Sequence, residues 1–522
     1  MIKKRKFFFF TFSFVLFLSL FISCDQPQSS SGLPNIILIS SDDLGWSEIG
    51  CYGSEIKTPN LDKLGEGGMR FTNFHNTSKC FPSRACLLTG VYAQQSNYHK
   101  SHNNAITNAV TLGEVLRTAG YRTLWSGKHH GLENPVFRGF DRYYGLKDGC
   151  CNFFNPGEQR PGEGKPARKG SPGNKRDRAW CIDSVMYAPY TPEAEDFYTT
   201  DYFTNYALQW MEEYKDEENP FFLYLSYTAP HDPLMAWPDD IAKYDGMYDE
   251  GYEAIRKKRY RKQLDMGLID ESYKLSAPTY TPWNELSDSR KAEEAKTMEV
   301  YAAMIDRMDQ NIGRVLEKLN ETGQLENTLI MFVSDNGASA EVVNIEDDYG
   351  EIGTLTRWTS LGKDWANVGN TPFRYYKNFS YEGGTNTPLI AWWPGMINPG
   401  SFSDFPGHFI DIMVTLVDIT GAEYPKEYNG QDITPMQGES ILPALKGEKS
   451  GRKSPVFYEW RQGQAVYHDS WKLVRHGREK PWELYNLEKD PTETMNRARD
   501  NQGKTEELES LFTAWKKGLP QF

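Results

Sequence analysis

The chain contains 522 residues, of which 39% are hydrophobic and 25% are charged, and its net charge is −13. This length and composition are typical of a globular protein with a large hydrophobic core and exclude global disorder. The acidic balance argues against a general nucleic-acid binder or a protein that coats anionic membranes, since both need a basic face.

The first 24 residues have the composition of an export signal. Four consecutive basic residues begin at Lys3, and residues 7–22 form an apolar run that is short for a membrane span. The run ends just before Cys24, in a segment that resembles a bacterial lipoprotein cleavage box. We therefore expect residues 1–24 to be a lipoprotein signal peptide and residues 25–33 a polar tether, which would place the protein, anchored by lipid, in the periplasm or at the cell surface. The alternative is a plain signal peptide in which the cysteine is incidental.

Five apolar runs along the mature chain predict strands of a mostly parallel sheet that is buried on both faces. Amphipathic stretches lie between some of these runs, and the clearest covers residues 298–319, where apolar side chains recur at spacings of three and four. Strands that alternate with helices indicate an α/β fold. The five runs are residues 36–39, 121–125, 221–225, 329–333 and 388–392.

Two later segments differ from this pattern. Residues 156–180 are rich in glycine, proline and basic residues, which predicts a long surface loop, with a contact for an anionic polymer as the alternative. After residue 450, four short strand-like runs and a helix near residues 505–516 predict a small α+β subdomain with an antiparallel sheet. We therefore divide the mature chain into a catalytic domain, residues 34–450, and a C-terminal subdomain, residues 451–522.

Six cysteines remain when Cys24 is set aside. In an exported chain they would allow up to three disulfides, but their spacing does not fix the pairing. The spacing is also unlike that of a zinc site.

Polar residues flank the apolar runs. Asp42 and Asp43 follow the first run, and Asp335 and Asn336 follow the fourth. Because ligands bind beyond the carboxyl ends of parallel strands, we expect these side chains to meet at one edge of the sheet. Three carboxylates and an amide oxygen suit Ca²⁺ or Mg²⁺ better than zinc. Cationic and imidazole side chains flank the other runs, which would be unusual around a purely structural calcium ion: Lys128, His130, His231 and Lys377.

The most specific segment begins at Cys80 and has the pattern Cys-x-Pro-Ser-Arg, followed by Leu-Thr-Gly. Pro82 and Ser83 can begin a helix, whose N-terminal end favours an anion. Arg84 adds a fixed positive charge one turn into this helix. From the residues alone, Cys80 would be interpreted as a reactive thiolate.

This segment resembles the signature of the type I, formylglycine-dependent sulfatases, and the resemblance covers nearly the whole mature chain. Further motifs of the family are similar to Asp42-Asp43-Leu44-Gly45, Gly127-Lys128-His129-His130, Ala229-Pro230-His231, Ser334-Asp335-Asn336-Gly337 and Lys377 ahead of Glu382-Gly383-Gly384. Two positions depart from the common pattern. His129 stands where the family commonly has Trp, and Asn386 stands where many relatives have Arg.

The resemblance implies an alkaline-phosphatase-like fold and a sulfuric ester hydrolase. A maturase would oxidise Cys80 to formylglycine, and Ca²⁺, with Mg²⁺ as the alternative, would lie among Asp42, Asp43, residue 80, Asp335 and Asn336. The hydrated formylglycine would attack the sulfate sulfur.

The resemblance also implies roles for the remaining side chains. His231 would protonate the leaving alcohol, and His130 would act as the base that regenerates the aldehyde. Lys128 and Lys377 would neutralise sulfate oxygens, and Arg84 would help Lys128 to hold the hydrate. Asp232 and Asn386 are candidate sugar contacts, whereas His129 is expected to have a packing or rim role.

The substrate is expected to be a sulfated host or algal glycan, with exo-action on sulfated galactose or N-acetylhexosamine. Two other functions stay open: a formylglycine-dependent phosphonate monoester hydrolase or phosphodiesterase, and a non-catalytic glycan-binding relative. The net charge does not exclude an anionic substrate, because the acidic total includes residues that would hold a cation in a locally positive site.

Overall fold

The computed structural model describes residues 32–169, 177–345, 349–449 and 451–522. The predicted signal peptide, Cys24 and nearly all of the predicted tether lie outside the described residues. Among the described helices, none combines the length and the hydrophobicity that are required to cross a bilayer.

The described strands in chain order are β1 (Asn35–Asp42), β2 (Met69–Phe71), β3 (Phe74–His75), β4 (Arg122–Gly127), β5 (Arg142–Leu146), β6 (Trp180–Ile182), β7 (Val185–Tyr187), β8 (Phe221–Pro230), β9 (Thr328–Ser334), β10 (Leu389–Trp392), β11 (Ser401–Ser403), β12 (Gly407–His408), β13 (Glu427–Tyr428), β14 (Gln431–Asp432), β15 (Val456–Trp460), β16 (Gly463–His468), β17 (Trp471–His476) and β18 (Glu483–Asn486).

The described α-helices in chain order are α1 (Pro59–Gly67), α2 (Cys80–Thr89), α3 (Leu112–Leu116), α4 (Thr199–Glu213), α5 (Pro238–Ala242), α6 (Gly251–Asp265), α7 (Asp288–Glu321), α8 (Gly362–Gly369), α9 (Glu382–Thr385), α10 (Ile410–Thr420), α11 (Leu442–Leu445) and α12 (Gln502–Lys517).

A ten-stranded sheet forms the centre of the molecule, with the order β11-β2-β10-β9-β1-β8-β4-β5-β6-β7. The five neighbouring strands from β9 to β5 are parallel, and all five predicted apolar runs are strands of this sheet. The last run, β10, pairs antiparallel with β9. β6 is also antiparallel to its neighbour β5. The prediction of a mostly parallel central sheet is therefore confirmed, and the antiparallel direction of β10 determines the position of Lys377.

The central sheet is covered by helices on both faces. In β1, Ile37 and Ile39 are buried in a cluster with α4 and α7, whereas Ile36 and Leu38 are buried in a second cluster with α2, α3 and α10. Alternate side chains of a strand point to opposite faces, so a strand buried on both sides has the continuous apolar run seen here. The predicted amphipathic helix is the central part of α7.

The C-terminal sheet is antiparallel and has the order β15-β16-β17-β18. Helix α12 packs on it through Leu508 and Phe512. Lys472 of β17 forms buried ion pairs with Glu382 at the start of α9 and with Glu493, the latter at 3.1 Å. These contacts attach the C-terminal sheet to the segment that carries the Gly-Gly motif, and residues 33–522 form one compact unit.

The predicted basic loop is irregular over the residues that the structure describes. In residues 156–169 and 177–179 the described backbone forms neither helix nor strand. Arg160 donates to Glu163 and to the carbonyl of Ala194, and Arg168 lies 3.3 Å from Asp177, so part of the basic charge is paired within the protein.

The six described cysteines are buried free thiols, so no disulfide joins them.

Candidate active site

Four of the predicted site residues lie at the ends of neighbouring parallel strands. Asp42 is the last residue of β1, Lys128 follows β4, His231 follows β8 and Asp335 follows β9. Because these strands are parallel neighbours, their carboxyl ends meet at one edge of the sheet. All four residues are buried there.

Lys377 reaches the same edge from the opposite chain direction. It precedes β10, and because β10 is antiparallel to β9, the start of β10 lies beside the end of β9. The Nζ atom of Lys377 lies 2.7 Å from Oδ1 of Asp43. Antiparallel pairing therefore explains why a residue ahead of a strand joins residues that follow strands.

The acidic residues form a compact cluster. Asp43 has a left-handed backbone with φ of 65°, which turns the chain sharply after β1. Its amide lies 3.3 Å from Oδ1 of Asp335, and Nδ2 of Asn336 donates to its Oδ1 at 2.6 Å. Although burial disfavours a charged carboxyl, Lys377 and His231 hold the pKa of Asp43 well below its usual range.

Two buried oxygens of this cluster, Oδ1 of Asp42 and Oδ1 of Asn336, accept no hydrogen bond from any described residue. Burial, reinforced by the charge of Asp42, raises the pKa of Asp335 to about 6. A divalent cation bound here would take the unpaired buried oxygens as ligands and would reduce the repulsion between the carboxylates. The residues present therefore fit a hard cation.

A second grouping of possible ligands exists in the same place. Asp42, Asp43 and His231 bring ligand atoms within 4.8 Å of one another. Burial works against the charge of His231, but Asp43 and then Asp42 raise its pKa to about 10. For a hard cation, the oxygens of Asp42, Asp43, Asp335 and Asn336 are a better ligand set than one that includes an imidazole nitrogen.

Cys80 lies at the first position of α2. The helix begins at Cys80 itself, so the prediction that Pro82 and Ser83 begin it is off by two residues. Ser83 instead accepts a hydrogen bond from the amide of Thr77 at 3.0 Å. The Cys80 side chain is buried, with only 2% of the residue exposed.

Three cationic side chains interact electrostatically with Cys80. Burial disfavours the charge of Lys128, but Asp42 and then Cys80 raise its pKa above the ordinary value. The Cys80 sulfur contributes in the same direction to the pKa values of Arg84 and Lys377. Cys80 is therefore within electrostatic reach of all three cationic side chains.

Arg84 and Lys128 are fixed by carboxylates of the cluster. Nε of Arg84 donates to Oδ2 of Asp335 at 2.8 Å, and Nζ of Lys128 donates to Oδ2 of Asp42. Nη2 of Arg84 has no hydrogen-bond partner among the described residues. The guanidinium therefore keeps an unused donor at a site that is rich in positive charge.

The two adjacent histidines differ in their surroundings. His130 packs against Gly149, where an added Cβ would lie 2.5 Å from its Nε2, and its Nδ1 has no described partner. Burial and then Lys128 hold the pKa of His130 well below 6.5, so the ring is neutral at pH 7. His129 lies edge-on to Trp125 with ring centres 5.0 Å apart. This contact fits the packing role expected for His129.

The two candidate sugar contacts have other partners. Nδ2 of Asn386 donates to Oε2 of Glu382 at 3.0 Å and to the carbonyl of Thr72 at 3.2 Å. These contacts join Asn386 to the Glu382 cluster. Asp232 lies beside His231, with its Oδ1 2.8 Å from Nδ1 of the ring.

Other residues at this site belong to none of the sequence motifs. Glu341 lies 2.7 Å from Nζ of Lys79 and 3.2 Å from Nζ of Lys377. The hydroxyl of Tyr301 lies 3.0 Å from the backbone oxygen of Asp43 and also contacts Glu48. Tyr301 reaches the site from α7, far along the chain from Asp43, whereas Glu341 lies only four residues after Gly337. Neither residue stands in a sequence pattern that marks it as part of a site.

Comparison with known proteins places the chain among sulfatases. The family model described as Sulfatase matches residues 34–422, and a model described as N-sulphoglucosamine sulphohydrolase, C-terminal, matches residues 372–516. An uncharacterized sulfatase of Schizosaccharomyces pombe is 32% identical to this chain, in an alignment that covers 91% of this chain and 92% of the relative. An arylsulfatase of Klebsiella aerogenes is 30% identical, in an alignment that covers 81% of this chain and 94% of the relative.

Solved structures show the same architecture. The crystal structure of Ps i-CgsB in complex with k-i-k-neocarrahexaose has a TM-score of 0.69, with 24% identity and 94% of each chain covered. At this level of identity the likeness concerns the fold. The predicted alkaline-phosphatase-like architecture, with its small antiparallel C-terminal sheet, is thereby confirmed.

Proposed function

The chain belongs to the sulfatase family, and we propose that it removes O-sulfate from a sulfated carbohydrate through formylglycine made from Cys80 and a bound divalent cation. The enzyme class follows from the family match over residues 34–422. The observation that carries the rest is the position of Cys80. It begins α2 within electrostatic reach of Arg84, Lys128 and Lys377, beside a carboxylate cluster.

The cation would be held by oxygen atoms of Asp42, Asp43, Asp335 and Asn336, together with residue 80. The unpaired oxygens of Asp42 and Asn336 support this assignment. Calcium suits such a flexible all-oxygen set, and magnesium is the alternative. When bound, the cation would supply positive charge for the sulfate oxygens and would make a hydroxyl bound to it more acidic.

Hydrated formylglycine at position 80 would supply two hydroxyls on one carbon, one to attack sulfur and one to allow later release of sulfate. Lys128 and Lys377 would neutralise sulfate oxygens. His231 carries the proton for the leaving alcohol, and neutral His130 is suited to accept a proton from the second hydroxyl. Arg84, with Nη2 unused, would help Lys128 to hold the hydrate.

A carbohydrate substrate is supported by the fold shared with Ps i-CgsB, which was crystallised with an oligosaccharide. Within that class we propose exo-action on sulfated galactose or N-acetylhexosamine of host or algal glycans. We also propose that residues 1–24 are a lipoprotein signal peptide and that the mature enzyme is held by lipid in the periplasm or at the cell surface. A maturase would be its partner during biosynthesis.

Three substrates test the reaction class: an aryl sulfate, a phosphonate monoester and a phosphodiester, each supplied to protein that was coexpressed with a maturase. We expect the sulfate ester to be turned over fastest, and phosphodiester turnover far above sulfate turnover would overturn the proposal. A panel of sulfated monosaccharides then tests the substrate class. Release of sulfate from an aryl ester but from no sugar would overturn the carbohydrate assignment alone.

The mass of the peptide that contains Cys80 tests the modification independently. Conversion of the thiol to an aldehyde lowers the mass, whereas an unchanged cysteine together with absent activity would favour the non-catalytic glycan-binding alternative. A Cys80→Ala variant that was prepared in the same way gives the unmodifiable control.

A further inference from the structure

We propose that Asp232 is a positioning residue for His231 rather than a sugar contact. This inference rests on the proposed function, in which His231 protonates the leaving oxygen. It concerns which nitrogen of the ring is fixed by the protein and which one is left to exchange a proton with the substrate.

The hydrogen bonds of His231 determine its tautomer. Nδ1 lies 2.8 Å from the Oδ1 carboxylate oxygen of Asp232 and 2.6 Å from the backbone oxygen of the same residue. Because both neighbours are acceptors, Nδ1 must carry a hydrogen in either protonation state of the ring. The exchangeable proton therefore resides on Nε2.

Nε2 faces the reaction centre. It lies 3.5 Å from Oδ2 of Asp43, the carboxylate that also pairs with Lys377. The protein thus holds the ring by one nitrogen and directs the other to the place where the sulfate would lie. A ring held in this way loses little orientational freedom when the substrate binds.

Asp232 is itself held in place by two donors. Its Oδ2 accepts a hydrogen bond from Oγ of Ser360 at 2.6 Å and one from the indole N–H of Trp358 at 3.2 Å. The residue is buried, and both of its carboxylate oxygens have partners. A side chain bound in this way offers little to a sugar hydroxyl but is well fixed to orient its neighbour.

Each proton in the proposed transfer has a donor and an acceptor. As the bond between sulfur and the leaving oxygen breaks, the Nε2 hydrogen passes to that oxygen and gives a neutral alcohol. The imidazole is left neutral with its Nδ1 hydrogen still bound to Asp232, and Nε2 then regains a proton from water. Asp232 stays ionised throughout and only keeps the ring in place.

Aryl sulfates with different phenols test the proposal, because they contain no sugar. Phenol is a poorer leaving group than 4-nitrophenol, so phenyl sulfate depends more on a proton donor. In Asp232→Ala we expect kcat for phenyl sulfate to fall by about 10²-fold and kcat for 4-nitrophenyl sulfate by about tenfold or less. Ser360→Ala, which keeps the carboxylate, should change the ratio in the same direction but by less.

The alternatives give different results. A sugar contact would leave both aryl sulfates unaffected in Asp232→Ala, and a purely structural role would lower both rates equally, so either outcome overturns the proposal. In His231→Ala, adding Asp232→Ala should cost little more, because the residue to be positioned is gone. Wild-type enzyme that turned over neither aryl sulfate would instead overturn the proposed function.

Discussion

The indole N–H of Trp460 donates to Oδ1 of Asn378 at 2.8 Å. Trp460 ends β15 of the C-terminal sheet, whereas Asn378 directly follows Lys377. Nδ2 of the same Asn378 donates to Glu341 at 3.1 Å, and Glu341 also pairs with Lys377. The C-terminal sheet therefore supports the loop that carries a predicted sulfate-binding lysine.

Trp460→Phe should remove this support but keep the aromatic packing against Phe81, whose ring centre lies 5.2 Å away. We expect kcat/KM for an aryl sulfate to fall by about three- to tenfold, which corresponds to the net value of one hydrogen bond, about 1 kcal/mol. Trp482→Phe is a matched control, because that indole donates to Glu509 of α12 at 2.9 Å. Equal activity of the two variants would contradict a supporting role for Trp460.

Metal removal should abolish sulfatase activity, and Ca²⁺ should restore it. Thermal unfolding measures binding independently of activity, since a ligand at 100 times its Kd stabilises the folded state by about 2.7 kcal/mol. We expect Asn336→Ala to weaken this Ca²⁺-dependent stabilisation. We expect His231→Ala to keep it and to lose activity.

Loss of the Ca²⁺ response in His231→Ala, with the response retained in Asn336→Ala, would favour the alternative ligand set of Asp42, Asp43 and His231. The melting temperature of each variant without metal serves as the control for folding.

Cys80→Ser should block repeated turnover. A serine supplies one hydroxyl, so a sulfate group transferred to it has no neighbouring hydroxyl to expel it. We expect intact-mass measurement after incubation with an aryl sulfate to show either unchanged protein or one retained sulfate group. Sustained turnover by Cys80→Ser would show that the reaction needs no formylglycine.

The buried carboxyl of Glu48 should make the free energy of unfolding of the protein depend on pH. Burial raises its pKa to about 7, although Arg259 opposes this shift. Because a glutamate in the unfolded chain has a pKa of about 4.3, the stabilising contribution of Glu48 is fully present below that pH and is lost as the pH rises through 7. Between pH 5 and pH 8 the wild type should lose free energy of unfolding on the order of 3 kcal/mol from this group.

Urea unfolding of Glu48→Gln should lack this component, since glutamine does not ionise. Glu55 is the matched control: burial opposes its charge, but Arg259 lowers its pKa overall. Its contribution is present above about pH 4.3 and lost in acid, so Glu55→Gln should destabilise the protein at neutral pH. The same pH profile for Glu48→Gln and the wild type would contradict the assignment.

The strands and the residues that follow them could be predicted because each lies in one short stretch of sequence. The run at residues 36–39 and the Asp42-Asp43 pair are an example, since a buried strand and its carboxyl end are local properties. The predicted start of α2 is wrong by two residues, because Lys79, rather than a typical capping residue, precedes the helix. The partners of Asp232 could not be predicted, because Trp358 and Ser360 lie more than a hundred residues away and reach it only through the fold.

Cys80 is 2% exposed in the folded chain, at the first position of a helix packed into the protein. A maturase would need the thiol in its own active site, and the native fold does not present it. We therefore expect the proposed oxidation to take place on a newly made chain, before α2 packs against the sheet. The fraction of active enzyme would then depend on the rate of oxidation relative to the rate of folding. A chain that folds before oxidation would keep its thiol for as long as it stays folded.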